Sequence, residues 1–325
     1  MTTIRYGDRL LEVGEEQSVL DCLTTQGEPI PHACRSGVCQ SCLMRAISGT
    51  PPAASQEGLS DVLQLQKHFL ACICHPREDL TIALAGEAGA AISATVTQLE
   101  PLNADIMRVE LEPHVPVDYR PGQFINLFRT TELGRSYSIA SLPEDGGIHL
   151  HVRHLPGGLV SSWVHETLRI GQTVEIRGPL GNCFYVPGKP EQALLLIGTG
   201  SGLAPLYGIL RDALRHSHTG PIRLFHGSRS ADGLYLTGEL RELARTHAQF
   251  DYVPCVSGPD VPSQHATGRV HDVALTDTPD LKGWRVFLCG HPDMVQQAQM
   301  RAYLAGASLA DIHADAFQLS PRASK

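Results

Sequence analysis

The stretch PHACRSGVCQSC at residues 31–42 carries three cysteines in the spacing Cys34-x4-Cys39-x2-Cys42. A fourth cysteine, Cys72, follows after 29 intervening residues. Three thiolates from one tight loop and a fourth from a later segment form the plant-type spacing for a [2Fe–2S] cluster. The sequence therefore predicts that Cys34, Cys39, Cys42 and Cys72 ligate a [2Fe–2S] cluster.

Other interpretations of these cysteines remain open at the level of sequence. Structural zinc sites favour paired C-x2-C segments, and one such pair is present. Buried thiols without a ligand are a second alternative. Cys74 competes with Cys72 for the place of fourth ligand, and Cys22 is expected to be a bystander. Gly37 permits an unusual backbone angle inside the loop, where backbone N–H groups approach the sulfurs.

The composition of the chain bounds its class and its partners. With 325 residues, two or three domains are expected. The net charge of −8 argues against nucleic acid and against an anionic membrane surface as partners. No apolar run approaches the ~18 residues of a membrane span, and the start of the chain does not read as a secretory signal. We expect a cytoplasmic protein, in which clustered cysteines favour a metal over disulfides.

Residues 1–88 are predicted to form a small β-rich unit. Alternating stretches at Thr3–Tyr6 and Arg9–Val13 flank a Gly-Asp turn signal and predict a hairpin. A capping-box pattern predicts a helix over Val19–Gln26, and Leu80–Ala85 is a plausible closing strand.

Two further domains follow a small-residue linker predicted at residues 86–93. Residues 89–188 contain many short β-like runs separated by Pro and Gly, which favours an antiparallel barrel. In residues 189–325, the buried-strand pattern Ala193–Ile197 precedes an amphipathic helix, and Pro292–Ala305 is a further predicted helix. Strands alternating with helices predict a doubly wound α/β domain. Its other predicted strands are Ile222–His226, Phe250–Val256 and Arg285–Cys289.

Two segments of the barrel region have the composition of a phosphate site. The run RSYS at residues 135–138 offers a guanidinium, an aromatic face and hydroxyls, although such a run also suits a strand with polar edges. Residues 157–161, GGLVS, open a helix predicted over Val160–Leu168. Glycines let the backbone approach a phosphate, and the helix N-terminus stabilises its charge.

A glycine-rich turn opens the third domain. GTGSGLAP at residues 198–205 lies between a predicted buried strand and a predicted helix, where outward N–H groups suit a pyrophosphate. A simple βα turn is the alternative. The segment CGHP at residues 289–292 follows another strand, and a buried structural cysteine is the alternative interpretation of Cys289.

The three segments, taken in order, resemble the ferredoxin–NAD(P) reductase-like electron-transfer components of bacterial multicomponent oxygenases. PHACRSGVCQSC resembles the loop of their plant-type ferredoxin domain, although that family usually has glycine where Gln40 stands here. GTGSGLAP matches the family's G-x-G-x-G-x-x-P. The resemblance implies an α/β multidomain protein: an N-terminal β-grasp ferredoxin-like domain, an antiparallel β-barrel flavin domain, and a C-terminal doubly wound nucleotide-binding domain.

The same resemblance implies the site residues. Tyr137, Ser138 and Cys289 are the expected catalytic residues. The residues expected to bind the flavin are Arg135, Ser136, Tyr137, Ser138, His151, Val152, Arg153, Gly157, Gly158, Leu159, Val160 and Ser161. Those expected to bind the nicotinamide nucleotide are Gly198, Thr199, Gly200, Gly202, Ala204, Pro205, Ser228, Arg229, Cys289, Gly290, His291 and Pro292. Phe317 resembles the aromatic residue that covers the flavin ring, and core packing is its alternative role.

The expected activity follows from this set of cofactors. The resemblance implies electron transfer from NADH to FAD, from FAD to the [2Fe–2S] cluster, and from the cluster to an oxygenase component or ferredoxin. NADH is favoured over NADPH because the segment after the second strand supplies one basic residue, Arg229, for a 2′-phosphate. A reductase that serves a deoxysugar-forming dehydratase, a non-catalytic redox sensor and a zinc-stapled binding protein are the alternatives.

Overall fold

The computed structural model describes residues 2–32, 34–37, 40–85, 91–131 and 133–317. The chain divides into two compact units, Met1–Ala88 and Gly89–Lys325. Across these described ranges, no helix is long and apolar enough to cross a membrane.

The first unit is a five-stranded mixed sheet with a helix packed on it. Its order is β2-β1-β5-β3-β4. Strands β1 and β5 pair in parallel, and the other neighbouring strands are antiparallel. The elements are β1 (Thr2–Tyr6), β2 (Arg9–Val13), α1 (Val19–Thr25), β3 (Leu43–Ser48), α2 (Asp61–Leu65), β4 (His68–Leu70) and β5 (Leu80–Leu84). The predicted hairpin, helix and closing strand are confirmed. Ser18 caps α1 by accepting a hydrogen bond from the backbone N–H of Asp21.

The second unit begins with a six-stranded antiparallel sheet, in the order β10-β7-β6-β11-β8-β9. A bridge between Ile139 and Leu150 links the segment after β9 to β10, so the sheet curls into a barrel. The elements are β6 (Ile92–Pro101), β7 (Ile106–Pro113), β8 (Phe124–Thr130), β9 (Leu133–Ser138), β10 (Ile148–Arg153), α3 (Leu159–Glu166) and β11 (Thr173–Leu180).

The linker prediction is wrong at its end, because β6 already begins at Ile92. The alternation of Ile92, Ala94 and Val96 toward the barrel core extends the strand into that segment. Residues 86–90 of the predicted linker lie outside the described residues.

A six-stranded parallel sheet completes the second unit, in the order β15-β14-β13-β12-β16-β17. Helices α4 and α5 cover one face, and α6 and α7 cover the other. The elements are β12 (Leu194–Thr199), α4 (Leu203–Arg215), β13 (Ile222–Ser228), α5 (Thr237–Thr246), β14 (Phe250–Val256), β15 (Ala266–Thr267), α6 (Val270–Asp277), β16 (Arg285–Gly290), α7 (Pro292–Leu304) and β17 (Ile312–Ala316). The predicted doubly wound arrangement is confirmed.

Candidate functional site

Three of the four predicted cluster ligands lie together in the first unit. Burial, a hydrogen bond to Cys42 and the neighbouring charges of Cys42 and Cys34 raise the pKa of Cys72 to about 11. Cys34 is exposed and Cys42 is buried, so the group reaches from the core to the surface. The fourth predicted ligand, Cys39, lies outside the described residues. Within the described part of the chain, no set of three His, Cys, Asp or Glu side chains forms a metal site.

The backbone of this loop supplies donors to the sulfurs. The N–H of Ser36 donates to Cys34 Sγ over 3.4 Å, and the N–H of Gly37 donates to the sulfur of Cys72. Arg35 and Gly37 hold left-handed φ angles of 52° and 77°, which turn the chain around the cysteines. N–H donors to thiolates are the environment that an iron–sulfur cluster requires, so the loop fits the group.

The structure separates Cys72 from the competing cysteine, Cys74. Cys74 is fully buried in the hydrophobic core of the unit, and burial raises the pKa of its thiol to about 12. Cys22 is buried in the same core. The interactions of Cys72 with Cys42 and Cys34 favour Cys72 as the fourth ligand.

Gln40, where the family usually has glycine, also lies in the left-handed region, with φ 57°. That conformation costs an ordinary L-residue about 1–2 kcal/mol, whereas glycine adopts it freely. The carboxamide Nε2 of Gln40 donates to the carbonyl of Gly58 over 3.2 Å, which ties the loop to the turn before α2. The side chain therefore offsets part of the strain that its own backbone creates.

In the second unit, residues from distant parts of the chain meet at Asp315. The hydroxyl of Ser138, at the end of β9, donates to Asp315 Oδ2 over 3.2 Å. Asp315 lies on β17 opposite Cys289 on β16 in the parallel register. Burial raises the pKa of Asp315, partly opposed by the Ser138 hydrogen bond. Two of the three predicted catalytic residues thus flank a carboxyl group that the sequence analysis did not identify.

The thiol of Cys289 is fully buried and remains protonated at neutral pH. Burial raises its pKa well above the ordinary value, and Cys183 and Asp315 act in the same direction. Its Sγ lies 3.7 Å from Sγ of Cys183, which belongs to the segment just after the barrel strand β11. The thiolate is the nucleophilic form of cysteine, so a neutral thiol in this position does not act as a nucleophile.

The RSYS segment occupies strand β9, as its polar-edged pattern indicated. Tyr137 packs half-buried against the barrel core, and burial raises the pKa of its hydroxyl. Arg135 Nη1 donates to the carbonyl of Gly134 over 2.7 Å, and the Ser136 hydroxyl donates to Asn126 Oδ1 over 2.7 Å. The Ser136 side chain is thus engaged by the neighbouring strand.

In the GGLVS segment, the backbone N–H groups, and not the Ser161 hydroxyl, are available to a phosphate. Gly158 is the N-cap of α3 and supplies no side-chain cap, which leaves first-turn N–H groups for an anion. Gly157 has φ 76°, and a Cβ there would meet open space. Ser161 Oγ instead accepts a hydrogen bond from the N–H of Leu155 over 3.2 Å. Leu159 is exposed and Val160 is buried. These features fit a phosphate held by main-chain donors.

Residues 151–153 divide between the barrel and the parallel-sheet region. His151 is buried, its Nδ1 lies 3.1 Å from the hydroxyl of Tyr235, and burial lowers its pKa to about 3. Val152 points into the barrel core. Arg153 is exposed, and its Nη1 lies 3.4 Å from the position of a Cβ added at Gly200. Of the three side chains, Arg153 reaches the glycine-rich loop.

The two predicted nucleotide segments pack directly against each other. Thr199 Oγ1 accepts a hydrogen bond from the N–H of His291 over 3.1 Å. A Cβ at Gly202 would lie 2.2 Å from the carbonyl oxygen of Cys289, and one at Gly290 would lie 2.6 Å from the carbonyl oxygen of Thr199. Glycine is required at both positions because backbone lies against backbone.

The remaining predicted nucleotide residues lie around this pair of loops. Gly198 ends the buried part of β12, and Ala204 and Pro205 lie buried in the first turn of α4. His291 caps α7 with its ring, and Pro292 begins that helix. The N–H of Phe317 donates to the carbonyl of Gly290 over 2.8 Å. Ser228 is the last residue of β13 and Arg229 follows it, and their carbonyls accept from the N–H groups of Ser257 and Gly258.

Three features define the class of the protein. They are a loop that gathers cysteines, a barrel edge whose N–H groups are available to a phosphate, and a glycine-rich turn at the end of a parallel strand. Together they are those of an iron–sulfur flavoprotein that oxidises a nicotinamide nucleotide. Family models match the same three regions. They are a 2Fe-2S iron-sulfur cluster binding domain over residues 4–77, an oxidoreductase FAD-binding domain over 93–185 and an oxidoreductase NAD-binding domain over 196–300.

Comparison with individual proteins narrows the class. The chain is 33% identical over 324 residues to the ferredoxin–NAD(P)(+) reductase component of the naphthalene 1,2-dioxygenase system of Pseudomonas putida, covering 97% of each chain. The crystal structure of an Amycolatopsis cytochrome P450 reductase is 30% identical with a TM-score of 0.68, covering 98% of this chain and 99% of that one. A ferredoxin reductase in carbazole 1,9a-dioxygenase is 26% identical with a TM-score of 0.65, covering 98% of both chains.

The chain belongs to the ferredoxin–NAD(P) reductase-like electron-transfer components of bacterial multicomponent oxygenases. It is an NAD(P)H-dependent oxidoreductase with a [2Fe–2S] cluster and FAD. The predicted fold class, cofactors and activity are confirmed.

Proposed function

We propose that this chain oxidises NADH and passes the electrons, through FAD and the [2Fe–2S] cluster, to an oxygenase component or an intermediary ferredoxin. The observation that carries the proposal is that Ser138 and Cys289 both lie beside Asp315. Asp315 thus joins β9, here called the flavin strand, to residues 289–292, here called the nicotinamide corner. In this proposal residues 1–88 hold the cluster, 89–188 the FAD and 189–325 the nucleotide.

The FAD supplies the conversion between a two-electron hydride and single electrons; the residues supply binding and orientation. Ser138, held by Asp315, presents its hydroxyl at the end of β9, where Tyr137 offers an aromatic face. Arg135 and the free N–H groups of α3 bind the phosphates. Phe317, whose backbone N–H donates to the carbonyl of Gly290, would cover the flavin ring when FAD is bound.

The nucleotide is oriented by the paired glycine loops. The N–H groups after Gly200 and the guanidinium of Arg153 would bind its pyrophosphate, and the fully buried, neutral Cys289 would support the backbone beside which the nicotinamide lies. NADH is preferred because Arg229 is accompanied by Asp232 in the same exposed segment, whose carboxylate repels a 2′-phosphate. The preference is measured as the ratio of kcat/KM for NADH and NADPH, and a larger value for NADPH contradicts it.

The cluster is the exit for electrons in this proposal. Cys34 is exposed and Cys42 is buried, so a cluster held by these residues would be reached by the acceptor from the side of Cys34. Outer-shell N–H donors from Ser36 and Gly37 stabilise charge on the sulfurs.

Cys39→Ser tests the proposed path. NADH still reduces the flavin in this variant, whereas reduction of cytochrome c falls to background because the cluster is incomplete. Iron and sulfide analysis checks that the cluster has been lost. Cys22→Ala removes a cysteine outside the predicted set and is the matched control, which keeps its iron. Loss of flavin reduction in folded Cys39→Ser protein contradicts the proposed division of cofactors among domains.

Asp315→Asn tests the meeting point itself. The change weakens the hydrogen bond that orients Ser138, and a hydrogen bond to a charged group is worth ~1.5–3 kcal/mol, so flavin reduction slows roughly tenfold or more. Anaerobic stopped-flow absorbance at the flavin band measures the rate, and NADH titration measures binding. An unchanged rate shows that Asp315 has no part in positioning.

A further inference from the structure

Helix α4 (Leu203–Arg215) contacts both halves of the proposed hydride-transfer site. Its first turn follows the glycine loop at Gly200–Gly202. Its middle packs on the backbone of Ile139 and Ala140, the two residues directly after Ser138. One rigid helix therefore connects the nucleotide loop with the end of the flavin strand.

The contact is made at Gly208, where the helix has no side chain. A Cβ added there would lie 3.0 Å from Cβ of Pro121 and 3.2 Å from the carbonyl oxygens of both Ile139 and Ala140. Contacts of 3.0–3.4 Å are tighter than almost all real Cβ contacts, so a neighbour must move by a few tenths of an ångström. The absence of a side chain at Gly208 thus fixes how closely the helix approaches the barrel.

The barrel side of this contact resists movement. The N–H of Ile139 donates to the Gln123 carbonyl over 2.6 Å, and the Ile139 carbonyl accepts from the N–H of Gly122 over 2.9 Å. The N–H of Ala140 donates to the carbonyl of His149 over 2.9 Å. These hydrogen bonds hold the backbone of Ile139 and Ala140 in place, so we expect added volume at Gly208 to displace the helix rather than this segment.

Ion pairs hold the second half of the helix against the same segment. Arg211 makes a two-pronged contact with Asp145, with Nη1–Oδ2 and Nη2–Oδ1 distances of 2.6 and 2.7 Å. Arg215 pairs with Glu144. Burial disfavours the charge on Asp145, but the Arg211 guanidinium holds the pKa of that carboxyl below its usual range. The pair is therefore charged at neutral pH and clamps α4 to the turn that follows β9.

We infer that Gly208 is a positioning residue that sets the separation between the flavin strand and the nucleotide loop, with Arg211 as the clamp that maintains it. The inference rests on the proposed function. It adds that the separation is set by the packing of α4 on the barrel, through a residue that is not itself expected to touch a cofactor.

Gly208→Ala is the test, with Gly238→Ala as its matched control. Gly238 lies in the exposed first turn of α5, where an added Cβ meets nothing within 4 Å. A misplacement of 1 Å costs on the order of 100-fold, so a shift of a few tenths of an ångström slows flavin reduction roughly 3- to 10-fold in Gly208→Ala. The control keeps the wild-type rate. The dissociation constant for NADH changes less than the rate in Gly208→Ala, because the pyrophosphate loop is intact, and it keeps its wild-type value in the control.

A spectroscopic measurement separates positioning from general damage. The long-wavelength absorption band that appears when NAD⁺ stacks on reduced flavin weakens in Gly208→Ala, while flavin content and the thermal midpoint stay close to those of Gly238→Ala. An unchanged band together with an unchanged rate overturns the inference.

Arg211→Gln provides an independent test if Gly208→Ala does not fold. It leaves the helix surface at Gly208 intact and removes the charge that holds Asp145. The expected result is again a slower flavin reduction and a weaker long-wavelength absorption band at unchanged flavin content. The double variant Arg211→Asp/Asp145→Arg, which exchanges the two charges, is expected to restore both. Wild-type behaviour in Arg211→Gln overturns the role of the clamp. Absence of NADH-dependent flavin reduction in the wild type refutes the proposed function itself, whereas an active wild type with unaffected variants refutes the inference alone.

Discussion

The cluster loop and the nucleotide loops both bend the backbone through left-handed conformations, but they do so with different residues. In the cluster loop Arg35 and Gln40 have φ angles of 52° and 57°. In the nucleotide loops the corresponding positions are Gly200 and Gly290, with φ angles of 54° and 124°. An ordinary residue pays about 1–2 kcal/mol for such a conformation, and glycine does not.

The difference lies in what holds each loop in shape. Side chains anchor the cluster loop: Arg35 pairs with Asp21 over 2.9 Å, and Gln40 donates to Gly58. The nucleotide loops are held by backbone packed on backbone, as Gly202 against the Cys289 carbonyl shows. Removing a side chain from the first loop and adding one to the second therefore have very different expected costs.

Gly202→Ala is expected to have the largest effect. Its Cβ would lie 2.2 Å from the carbonyl oxygen of Cys289 and 2.8 Å from Cα of Gly290, so the nicotinamide corner must move. Overpacking of this kind costs about 1–3 kcal/mol of stability, and displacement of the corner by ~1 Å lowers the rate of flavin reduction about 100-fold. Stopped-flow kinetics and thermal unfolding measure both quantities. If the rate stays within twofold of wild type, backbone packing does not fix the corner.

Gly200→Ala has a smaller expected effect, because its Cβ meets the flexible end of Arg153 rather than backbone. The left-handed φ still costs about 1–2 kcal/mol, so the free loop relaxes away from the conformation that binds the nucleotide, and NAD⁺ binds roughly tenfold more weakly. Titration of the protein with NAD⁺ measures the change. Gly238→Ala again serves as the control, and equal affinities in the two variants would contradict the role of φ at Gly200.

Two substitutions at Gln40 separate its side chain from its backbone. Gln40→Ala loses the bond to Gly58 but keeps the strain, so the folded cluster loop loses about 1 kcal/mol. Gln40→Gly loses the same bond but relieves the strain, so its net change is about zero. The rate of cluster loss in denaturant, followed by visible absorbance, ranks the variants. Faster loss in Gln40→Gly than in Gln40→Ala would show that φ at this position is not strained.

Arg35→Ala is expected to have a smaller effect than Gln40→Ala. The side chains of Arg35 and Asp21 are 50% and 48% exposed, and exposed ion pairs contribute about 0–1 kcal/mol. Cluster loss therefore accelerates no more than a few fold at low salt and less at high salt. A large effect that does not depend on salt would show that Arg35 acts through something other than its charge.

The elements that could be predicted from sequence are those whose signals are local. Turn residues predict the hairpin of β1 and β2, and a capping pattern predicts the helix after Ser18. An apolar run predicts the strand Phe250–Val256. Helix α3 begins at Leu159 and ends at Glu166, slightly earlier than its predicted range because Gly158 is the N-cap.

The parts of the site that the sequence did not reveal depend on long-range register. Asp315 meets Ser138 across 177 positions, and it faces Cys289 because β16 and β17 pair in parallel. The register between two parallel strands cannot be predicted from the spacing of residues within either strand. An acidic residue two positions before Phe317, at the end of a strand, was the one available signal. Val152 points into the barrel core because of its place on β10, which its motif does not indicate. Ser161 Oγ accepts a hydrogen bond from the N–H of Leu155, which its motif does not indicate either.

Strand β17 lies at the edge of the parallel sheet, with β16 as its neighbour in that sheet. Amide protons of an edge strand open by local fluctuations that require much less free energy than global unfolding. Hydrogen exchange in Ile312–Ala316 is therefore expected to be faster than in the central strand β12. Because Asp315 belongs to this strand, gentle heating releases Ser138 before the sheet melts. Catalytic decay at temperatures below the calorimetric transition, reversible on cooling, is the expected signature of that order of events.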